Sequence, residues 1–481
     1  MARLFHFIPT ILLAVFIFGC SSQQPDYRVL IAKGDFSKAK AVIKTILKDN
    51  LDMKSEEKKA LLWEMERMER IKKDFTLSGE EVFDFIKKYI PNITPAMMEE
   101  WEKSKALEMR IIDGQKRYFE YAARNLFRID PQCKIIWDEA HKQEKQLAMP
   151  PQKLDLNAHN AQIIKQTEKN NGAFVLPVRL HITYTITLKP DMVPQGETVH
   201  CWIPFPREIE GRQTDIELIR TDPADYRLAP KNQMQRTIYF EKASNGSKPT
   251  RFMVEYTYTN RGTYTHIDPQ KVEALRPQDG LDSFLAERPP HIVFTEELKT
   301  LSGKIVGDEK NPYRVAQKLF EWIDNNIPWA SAREYSSIRN ISMYAYENKH
   351  GDCGIQTLLF ITLLRLNGIP ARWQSGWEFQ PPDDSMHDWG MVYFKPYGWV
   401  PMDVTYGLRD SNDEKLKWFY LQGMDSYRLI FNDDFSQPFD PSKEHFRSET
   451  VDSQRGELEW SGGNLYFDQW QWDMQWKVVE N

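Results

Sequence analysis

The feature that most constrains the fold is the segment after Cys353, where large apolar residues occupy nearly every turn as far as Gly368. Asp352 is suited to cap a helix that begins here, and Gly368 is suited to end it. The apolar residues fall on most faces of this helix, at Ile355, Leu358, Leu359, Ile361, Leu363 and Leu366. A helix with almost no polar face must be surrounded by other elements, so we expect it at the centre of its own domain.

The chain has 481 residues, which is long enough for about three domains. Outside the segment after Cys353, its sequence pattern changes from helical to β and back to helical. A capping box at 78–81 and Thr-Pro at 94–95 predict helix starts in a charged N-terminal segment. Between residues 178 and 188, apolar and polar residues alternate, which is typical of a half-buried strand. We therefore predict a multidomain α+β protein, with a helical domain at 21–150, an antiparallel β-sandwich at 170–290, an α+β core at 291–440 and a Trp-rich strand segment at 441–481.

The C-terminal segment carries a row of tryptophans. Trp470, Trp472 and Trp476 alternate with polar residues, which predicts a strand with one aromatic face. Stacking on sugar rings is one interpretation of that face. We favour packing against the protein core, because an exposed row of tryptophans would promote aggregation.

The first 20 residues have the composition of an export signal. Arg3 precedes an almost wholly apolar stretch, residues 4–18, which is too short for an ordinary transmembrane helix. The stretch leads into Gly-Cys-Ser-Ser and resembles a bacterial lipoprotein signal, which implies a signal peptide at 1–20 and lipidation of Cys20. A plain secretory signal with an incidental cysteine is the alternative. Because Ser21 stands where an aspartate would favour retention, we expect a lipid-anchored protein of the cell envelope, at the outer membrane or cell surface rather than the inner membrane.

Export also bears on the remaining cysteines. Lipidation of Cys20 leaves Cys133, Cys201 and Cys353, and an odd number means that at least one thiol stays unpaired in a compartment that permits disulfides. Cys353 is the natural candidate for that thiol. Cys201 lies at period-two spacing between Val199 and Ile203, so it is expected to be a small core residue. A Cys133–Cys201 bridge is left open.

Cys353, His387 and Asp403 each lie in a setting that suits one catalytic role. His387 begins a strand, and a Pro-Tyr-Gly turn at 396–398 leads into the strand that Asp403 closes, so a hairpin is expected to place the two side by side. A thiol, an imidazole and a carboxylate that converge provide a nucleophile, its base and the group that orients the base. Taken singly, the same residues also fit a structural cysteine, a loop histidine and a turn acid.

The position of Cys353 leads to an expectation about its pKa. A thiol at the first turn of a helix lies at the positive end of the helix dipole, which favours the thiolate. An imidazolium at His387 would act in the same direction. We therefore expect a Cys353 pKa below that of a free thiol, with backbone N–H groups nearby that are able to hold an oxyanion.

Four blocks together resemble the transglutaminase-like superfamily, over about residues 295–410. They are Gly-Asp-Cys-Gly at 351–354, Leu-Arg-Leu-Asn-Gly-Ile-Pro-Ala-Arg at 364–372, His-Asp-Trp at 387–389 and Gly-Trp-Val-Pro-Met-Asp-Val-Thr at 398–405. The resemblance implies a papain-like α+β core with a Cys-His-Asp triad. It makes Cys353 the nucleophile, His387 the base and Asp403 the orienting acid.

Some positions depart from the family pattern, although none removes a member of the triad. Asp388 stands where a small residue is usual, Met391 replaces a frequent acid and Val404 replaces a frequent proline. The family often has an aromatic residue near the cleft where this chain has Trp329, which implies a cleft or oxyanion role. Packing is an equally good interpretation of Trp329.

Other classes of site are not indicated by the sequence. No close histidine pair has the spacing of zinc ligands, no Gly-Lys-Ser/Thr phosphate loop occurs, and no calcium loop of the EF-hand pattern is found. We therefore expect no cofactor and no metal. A net charge of −6 provides no electrostatic footprint for nucleic acid.

The residues and the resemblance together favour an exported cysteine hydrolase. We expect it to cleave an amide in a protein, peptide or peptidoglycan-like substrate through a thioester acyl-enzyme. The alternatives are a transamidase that cross-links proteins, a non-catalytic surface binding module, and an assembly or processing factor. The sequence does not indicate an oligomeric state.

Overall fold

The computed structural model describes residues 25–142, 154–170, 172, 174–276 and 279–479. The predicted signal peptide and Cys20 lie outside the described residues. The chain divides into two compact units, a smaller one made of Met1–Met65 with Ile111–Gln115 and a larger one made of Glu66–Arg110 with Lys116–Asn481.

The helices and strands are numbered in chain order. The helices are α1 (Tyr27–Lys33), α2 (Phe36–Asp49), α3 (Ser55–Asp74), α4 (Gly79–Lys87), α5 (Pro95–Lys103), α6 (Ala122–Ile129), α7 (Pro131–Ala140), α8 (Leu156–Lys169), α9 (Glu296–Val306), α10 (Pro312–Asn326), α11 (Ile341–Asn348), α12 (Cys353–Leu366), α13 (Glu414–Lys417) and α14 (Phe419–Gln422). The strands are β1 (Met109–Ile112), β2 (Gln115–Tyr118), β3 (Val175–Leu188), β4 (Thr198–Pro204), β5 (Gln213–Asp222), β6 (Arg227–Leu228), β7 (Thr237–Ala243), β8 (Thr250–Tyr264), β9 (Ala371–Gln380), β10 (Asp383–Phe394), β11 (Gly398–Met402), β12 (Gly423–Met424), β13 (Arg428–Asn432), β14 (Glu457–Trp460), β15 (Gly463–Leu465) and β16 (Trp470–Val478).

The smaller unit contains α1 and α2, and the turn between them depends on a glycine. Gly34 ends α1 with a φ of +83°, in the left-handed region. A Cβ at this position would lie 1.9 Å from the carbonyl oxygen of Ile111. Both the backbone conformation and the close approach therefore require glycine here.

In the larger unit, the predicted helix starts form as expected. The Ser78 hydroxyl accepts from the backbone N–H of Glu81 at 3.2 Å, and the Glu81 carboxylate accepts from the backbone N–H of Ser78 at 2.7 Å. Thr94 caps α5, which begins with Pro95. The capping box and the N-terminal proline predicted at these sites are both confirmed.

Two antiparallel sheets form the sandwich and share one apolar core. The first sheet has the order β12-β8-β3-β16, with β5 also paired to β8, and the second has the order β15-β14-β4-β7-β6. The C-terminal strands thus lie in the same sheets as the strands from 175–264. The domain boundaries drawn from the sequence stay predictions.

The Trp-rich segment forms the predicted strand, β16, which pairs antiparallel with β3 from Trp470 to Val478. Trp470 is buried, whereas 40% of Trp472 is exposed. The favoured interpretation, packing against the core, is therefore confirmed for Trp470 and also for Trp476, which is partly buried and packs against the sandwich core.

A third sheet, in the order β11-β10-β9-β13, carries the core of the protein together with α12. The helix is buried from Gly354 to Arg365. Its apolar side chains pack with those of α9 to α11 and of β9 to β11 in one continuous cluster. The expected central position of α12 is thus confirmed, as is the predicted combination of helices, antiparallel sandwich and papain-like α+β core. None of the described helices is long and apolar enough to cross a membrane.

Candidate active site

Cys353 is the first residue of α12, and its position depends on the cap before it. The Asp352 carboxylate accepts from the backbone N–H of Ile355 at 3.1 Å, as expected for an N-cap. The cysteine side chain stays partly exposed at the end of an otherwise buried helix. The cap therefore fixes the backbone of Cys353 at the start of the helix.

The hairpin of β10 and β11 brings His387 and Asp403 together. In its register Gly390 pairs with Met402, so Asp403 follows directly after the paired residues of β11. The Nε2 of His387 lies 2.8 Å from the Asp403 carboxylate, and both side chains are buried. This is the contact expected between a catalytic base and the carboxylate that orients it.

The thiol has a different partner in this structure. Cys353 Sγ donates to the Asp388 carboxylate at 3.3 Å, and the described hydrogen bonds include none between Cys353 and His387. His387 and Asp388 are consecutive residues of β10, and the sulfur contacts the second of them. The structure thus brings together two of the predicted site residues and pairs the third with Asp388.

The expectation that the pKa of the Cys353 thiol is lowered is wrong for this arrangement. Burial is the largest cause that raises the pKa of Cys353 well above its usual value, followed by the nearby carboxyls of Asp388 and Asp352. The helix dipole favours a thiolate, but it acts against desolvation and two acidic side chains. The sequence expectation did not include Asp388 as a neighbour of the sulfur.

Asp388 belongs to a network of buried acids around the thiol. The Tyr335 hydroxyl donates to Asp352 at 2.7 Å and lies 3.1 Å from Asp388, while the Gln454 amide donates to Asp388 at 2.6 Å. Asp388 also shares a hydrogen bond with Asp452. Burial and the adjacent Asp452 raise the pKa of Asp388 far above its ordinary value, which is the behaviour of two carboxyls that hold one proton.

Gly354 makes room for this network beside Cys353. A Cβ at Gly354 would lie 2.1 Å from the Tyr335 hydroxyl and 2.7 Å from the Asp388 carboxylate. Any larger residue would push these groups away from the start of α12.

Burial likewise raises the pKa of Asp352 to about 6, even though Tyr335 donates to its carboxylate.

A second network of buried charges surrounds the His387–Asp403 pair. Arg428 is buried and lies 3.0 Å from Asp403, 3.3 Å from Glu378 and 3.0 Å from Asp425. Burial alone would lower the pKa of His387, but the charges of Asp403 and Glu378 outweigh it and raise that pKa. Burial alone would raise the pKa of Asp403, yet His387 and Arg428 lower it.

A cavity of about 340 Å³ opens beside the start of α12. Its lining is rich in charged side chains, including Asp352, Glu334 and Arg455, and Trp472 and Met386 contribute apolar surface. Arg455 pairs with Glu334 through both guanidinium N–H groups, at 2.8 and 2.5 Å. The cavity is therefore a polar space that reaches Asp352, the residue before Cys353, with the partly exposed indole of Trp472 on its wall.

Trp329 lies beside the segment that precedes Cys353. It forms a parallel bridge with Gly351, and 44% of it is exposed. The Arg128 guanidinium stacks over its ring at 4.7 Å. The exposed side chain fits a rim position better than a core position, while its oxyanion role stays a prediction.

The described residues also bear on the other two cysteines and on metal binding. Cys133 and Cys201 are both buried free thiols, so the bridge left open between them does not form in this structure. Cys201 lies in the sandwich core, as expected. No group of three or more His, Cys, Asp or Glu side chains in the described part of the chain is arranged to hold a metal ion.

Several groups at the site were missed by reasoning from the sequence. Glu378, Arg428 and Asp452 come from β9, from β13 and from the loop before β14, and nothing in their local sequence distinguishes them from ordinary polar positions. Asp388 did have a signal, because it follows His387 within a recognisable block and departs from the small residue usual there. Its contact with the sulfur was not foreseen.

Comparison with known proteins supports the family resemblance. Residues 299–404 match the family model of the Transglutaminase-like superfamily, which confirms a transglutaminase-like domain there. A stretch of 131 residues is 25% identical to the uncharacterized protein YebA of Bacillus subtilis (strain 168), covering 24% of this chain and 18% of that protein. The chain thus spans about a fifth of the length of this curated relative.

Solved structures align at low identity. A candidate cysteine protease from Cytophaga hutchinsonii aligns with a TM-score of 0.44 and 17% identity, over 64% of this chain and 93% of the other. The periplasmic domain of TgpA from Pseudomonas aeruginosa aligns with a TM-score of 0.24 and 12% identity, over 51% of this chain and 93% of the other. Both identities are too low to transfer an activity.

Proposed function

We propose that this chain, in which residues 299–404 form a transglutaminase-like domain, is a cysteine-dependent amide hydrolase. The observation that carries the proposal is the His387–Asp403 pair, at 2.8 Å, on the sheet that packs against the helix beginning with Cys353. A nucleophile at a helix start and an oriented imidazole on the adjoining sheet suit acyl transfer through a thioester.

The proposed reaction begins with transfer of the thiol proton to His387. Asp403 binds Nε2, so Nδ1 is the nitrogen that accepts this proton. The thiolate of Cys353 attacks the substrate carbonyl carbon, and N–H groups of the first turn of α12 stabilise the oxyanion. The C–N bond breaks as the imidazolium returns the proton to the leaving amine, and water then hydrolyses the thioester.

This mechanism requires the thiol to leave Asp388. The Sγ–Asp388 contact of 3.3 Å holds the sulfur in a protonated resting position. Rotation of the Cys353 side chain toward His387 on substrate binding would form the catalytic hydrogen bond, and such bonds are often long before substrate is bound. Arg428 keeps Asp403 ionised, which favours the imidazolium formed in the first step.

We further propose that the enzyme works in the cell envelope, exported by the signal at residues 1–20 and lipid-anchored through Cys20. Its substrate would be a protein, a peptide or a peptidoglycan-like amide. Mass spectrometry of the protein purified from membranes tests the anchor, because a diacylglyceryl group on Cys20 is absent from a Cys20→Ser variant. An unmodified Cys20 in the mature protein would exclude it.

Substrate profiling tests the reaction. We expect the wild type to release new N-termini from peptide substrates, whereas Cys353→Ala and His387→Ala release none. Cys133→Ala is the matched control, because it removes another buried free thiol away from the site and should retain activity. Ammonia release without chain cleavage would instead indicate deamidation, and products of higher mass would indicate transamidation. Equal profiles for the wild type and Cys353→Ala would refute a catalytic role for the thiol.

A further inference from the structure

A second pocket, distant in sequence from the triad, lies among the helices of the larger unit. Its volume is about 360 Å³, and its lining is aromatic and cationic: Phe85, Tyr89, Arg124, Phe127, Arg128 and Trp137. The ring centroids of Tyr89 and Trp137 are 4.8 Å apart, and each lies 5.2 Å from that of Phe127. These rings are in contact with one another and build a preformed apolar wall.

The charged side chains that line this pocket are two arginines. Arg124 and Arg128 are exposed and one helical turn apart on α6, and no acidic side chain lines the pocket with them. Burial and then the positive charge of Arg124 lower the pKa of Arg128. Two adjacent guanidinium groups without a carboxylate between them favour an anionic ligand.

The same helix is tied to the segment that precedes the nucleophile. The Asn125 amide donates to the Ser331 carbonyl at 2.8 Å, and the Ser331 N–H donates to the Asn125 side chain at 3.0 Å. Arg128 donates to the Ser331 hydroxyl at 3.0 Å and stacks on Trp329. Trp329 in turn is bridged to Gly351, two residues before the nucleophile.

We propose that this aromatic–arginine pocket is a substrate subsite, which binds a carboxylate-bearing, apolar segment of the peptide whose amide is cleaved at Cys353. The proposal rests on the proposed function. The rings supply apolar contact area, and the two guanidinium groups recognise the carboxylate. A neutral glycan would use the rings alone and would leave the paired arginines without a role. The helical part of the larger unit thereby selects substrate, and Trp329 contacts both Arg128 of the subsite and Gly351 of the segment before Cys353.

Binding is tested without turnover, in the full-length Cys353→Ala protein. The probes are two acetylated, amidated hexapeptides that differ in one residue, Gly-Ala-Phe-Glu-Ala-Gly and Gly-Ala-Phe-Gln-Ala-Gly, titrated by calorimetry. We expect the glutamate peptide to bind about tenfold more tightly, and Arg124→Gln with Arg128→Gln to abolish that preference. Lys134→Gln, which removes a charge from α7 outside the pocket, is the matched control and should leave the preference intact.

The outcomes separate this proposal from the proposed function. Equal affinity for the two peptides, a preference that survives the double arginine substitution, or tighter binding of a neutral chitin oligosaccharide than of the glutamate peptide would each overturn the subsite. Where the wild-type enzyme cleaves peptides, the double variant should raise KM about tenfold for acidic substrates and leave kcat unchanged. Retained arginine-dependent binding without any cleavage by the wild type would preserve the subsite and refute the hydrolase.

Discussion

Replacement of Asp388 by asparagine should make the Cys353 thiol more acidic. The substitution keeps the shape of the side chain but removes the carboxyl that lies 3.3 Å from the sulfur. In the wild type, burial is the largest cause of the raised pKa of the Cys353 thiol, and the charge of Asp388 is the next, because it repels the thiolate. The variant removes that repulsion and leaves an amide that is able to donate to the thiolate.

The size of the effect follows from the distance. Two unit charges 3.3 Å apart interact by about 5 kcal/mol at an effective dielectric constant of about 20, which is an upper bound of between three and four pKa units. Because Cys353 is partly exposed, solvent reduces this value. We expect the thiol pKa to fall by at least about one unit.

The rate of alkylation by iodoacetamide, followed from about pH 5 to pH 10 and read at the Cys353 peptide by mass spectrometry, reports the thiol pKa. Asp383→Asn makes the same change at an exposed position on β10 and should leave the profile unaltered. The buried thiols of Cys133 and Cys201 serve as internal markers, because both would react if the variant unfolded. An unchanged or raised pKa of Cys353 in a folded Asp388→Asn protein would refute the role given to Asp388.

Three further predictions concern the stability of the site and its surroundings. Arg428→Met should lower the free energy of unfolding in urea by about 3–5 kcal/mol, since it removes the buried guanidinium that neutralises Asp403 and Asp425, and a loss below about 1 kcal/mol would contradict this. The pKa of His387 is raised in the folded state. Its ion pair with Asp403 therefore stabilises the fold fully below the ordinary histidine pKa of about 6.5, and this stabilisation is lost as the pH rises through the pKa of the folded state. His387→Asn should therefore destabilise the protein more at about pH 6 than at about pH 9, and equal losses in urea unfolding would refute this sign. Trp470→Ala should cost about 3–5 kcal/mol because Trp470 is buried, whereas Trp472→Ala should cost less because 40% of that side chain is exposed, and equal losses measured by thermal unfolding would count against the burial described.

Local patterns predicted much of the fold. The start of α12 at Cys353, its cap at Asp352 and its burial follow from the spacing of apolar residues and from one carboxylate, all within a few turns of chain. The capping box before α4 and the alternating residues of β3 are similar cases. Such features depend on neighbours in sequence, so they are visible before the chain is folded.

The contact between His387 and Asp403 was also predictable, because a hairpin is a local structure and its two strands must pair. The turn at 396–398 sets the distance between the strands, and the observed register leaves the two side chains 2.8 Å apart. The catalytic roles of these residues stay predictions.

The sequence by itself determined that Cys353 begins a central helix and that His387 and Asp403 lie on one hairpin. Only the tertiary structure decided that the sulfur contacts Asp388, that Asp452 shares a hydrogen bond with that carboxyl, and that Arg428 neutralises Asp403. The reason is physical: helix starts and hairpins are set by residues close in the chain, whereas a pKa depends on which charges from distant strands are buried together. The expectation of an acidic thiol was wrong for that reason, since the helix dipole is local and the carboxyls that oppose it are not.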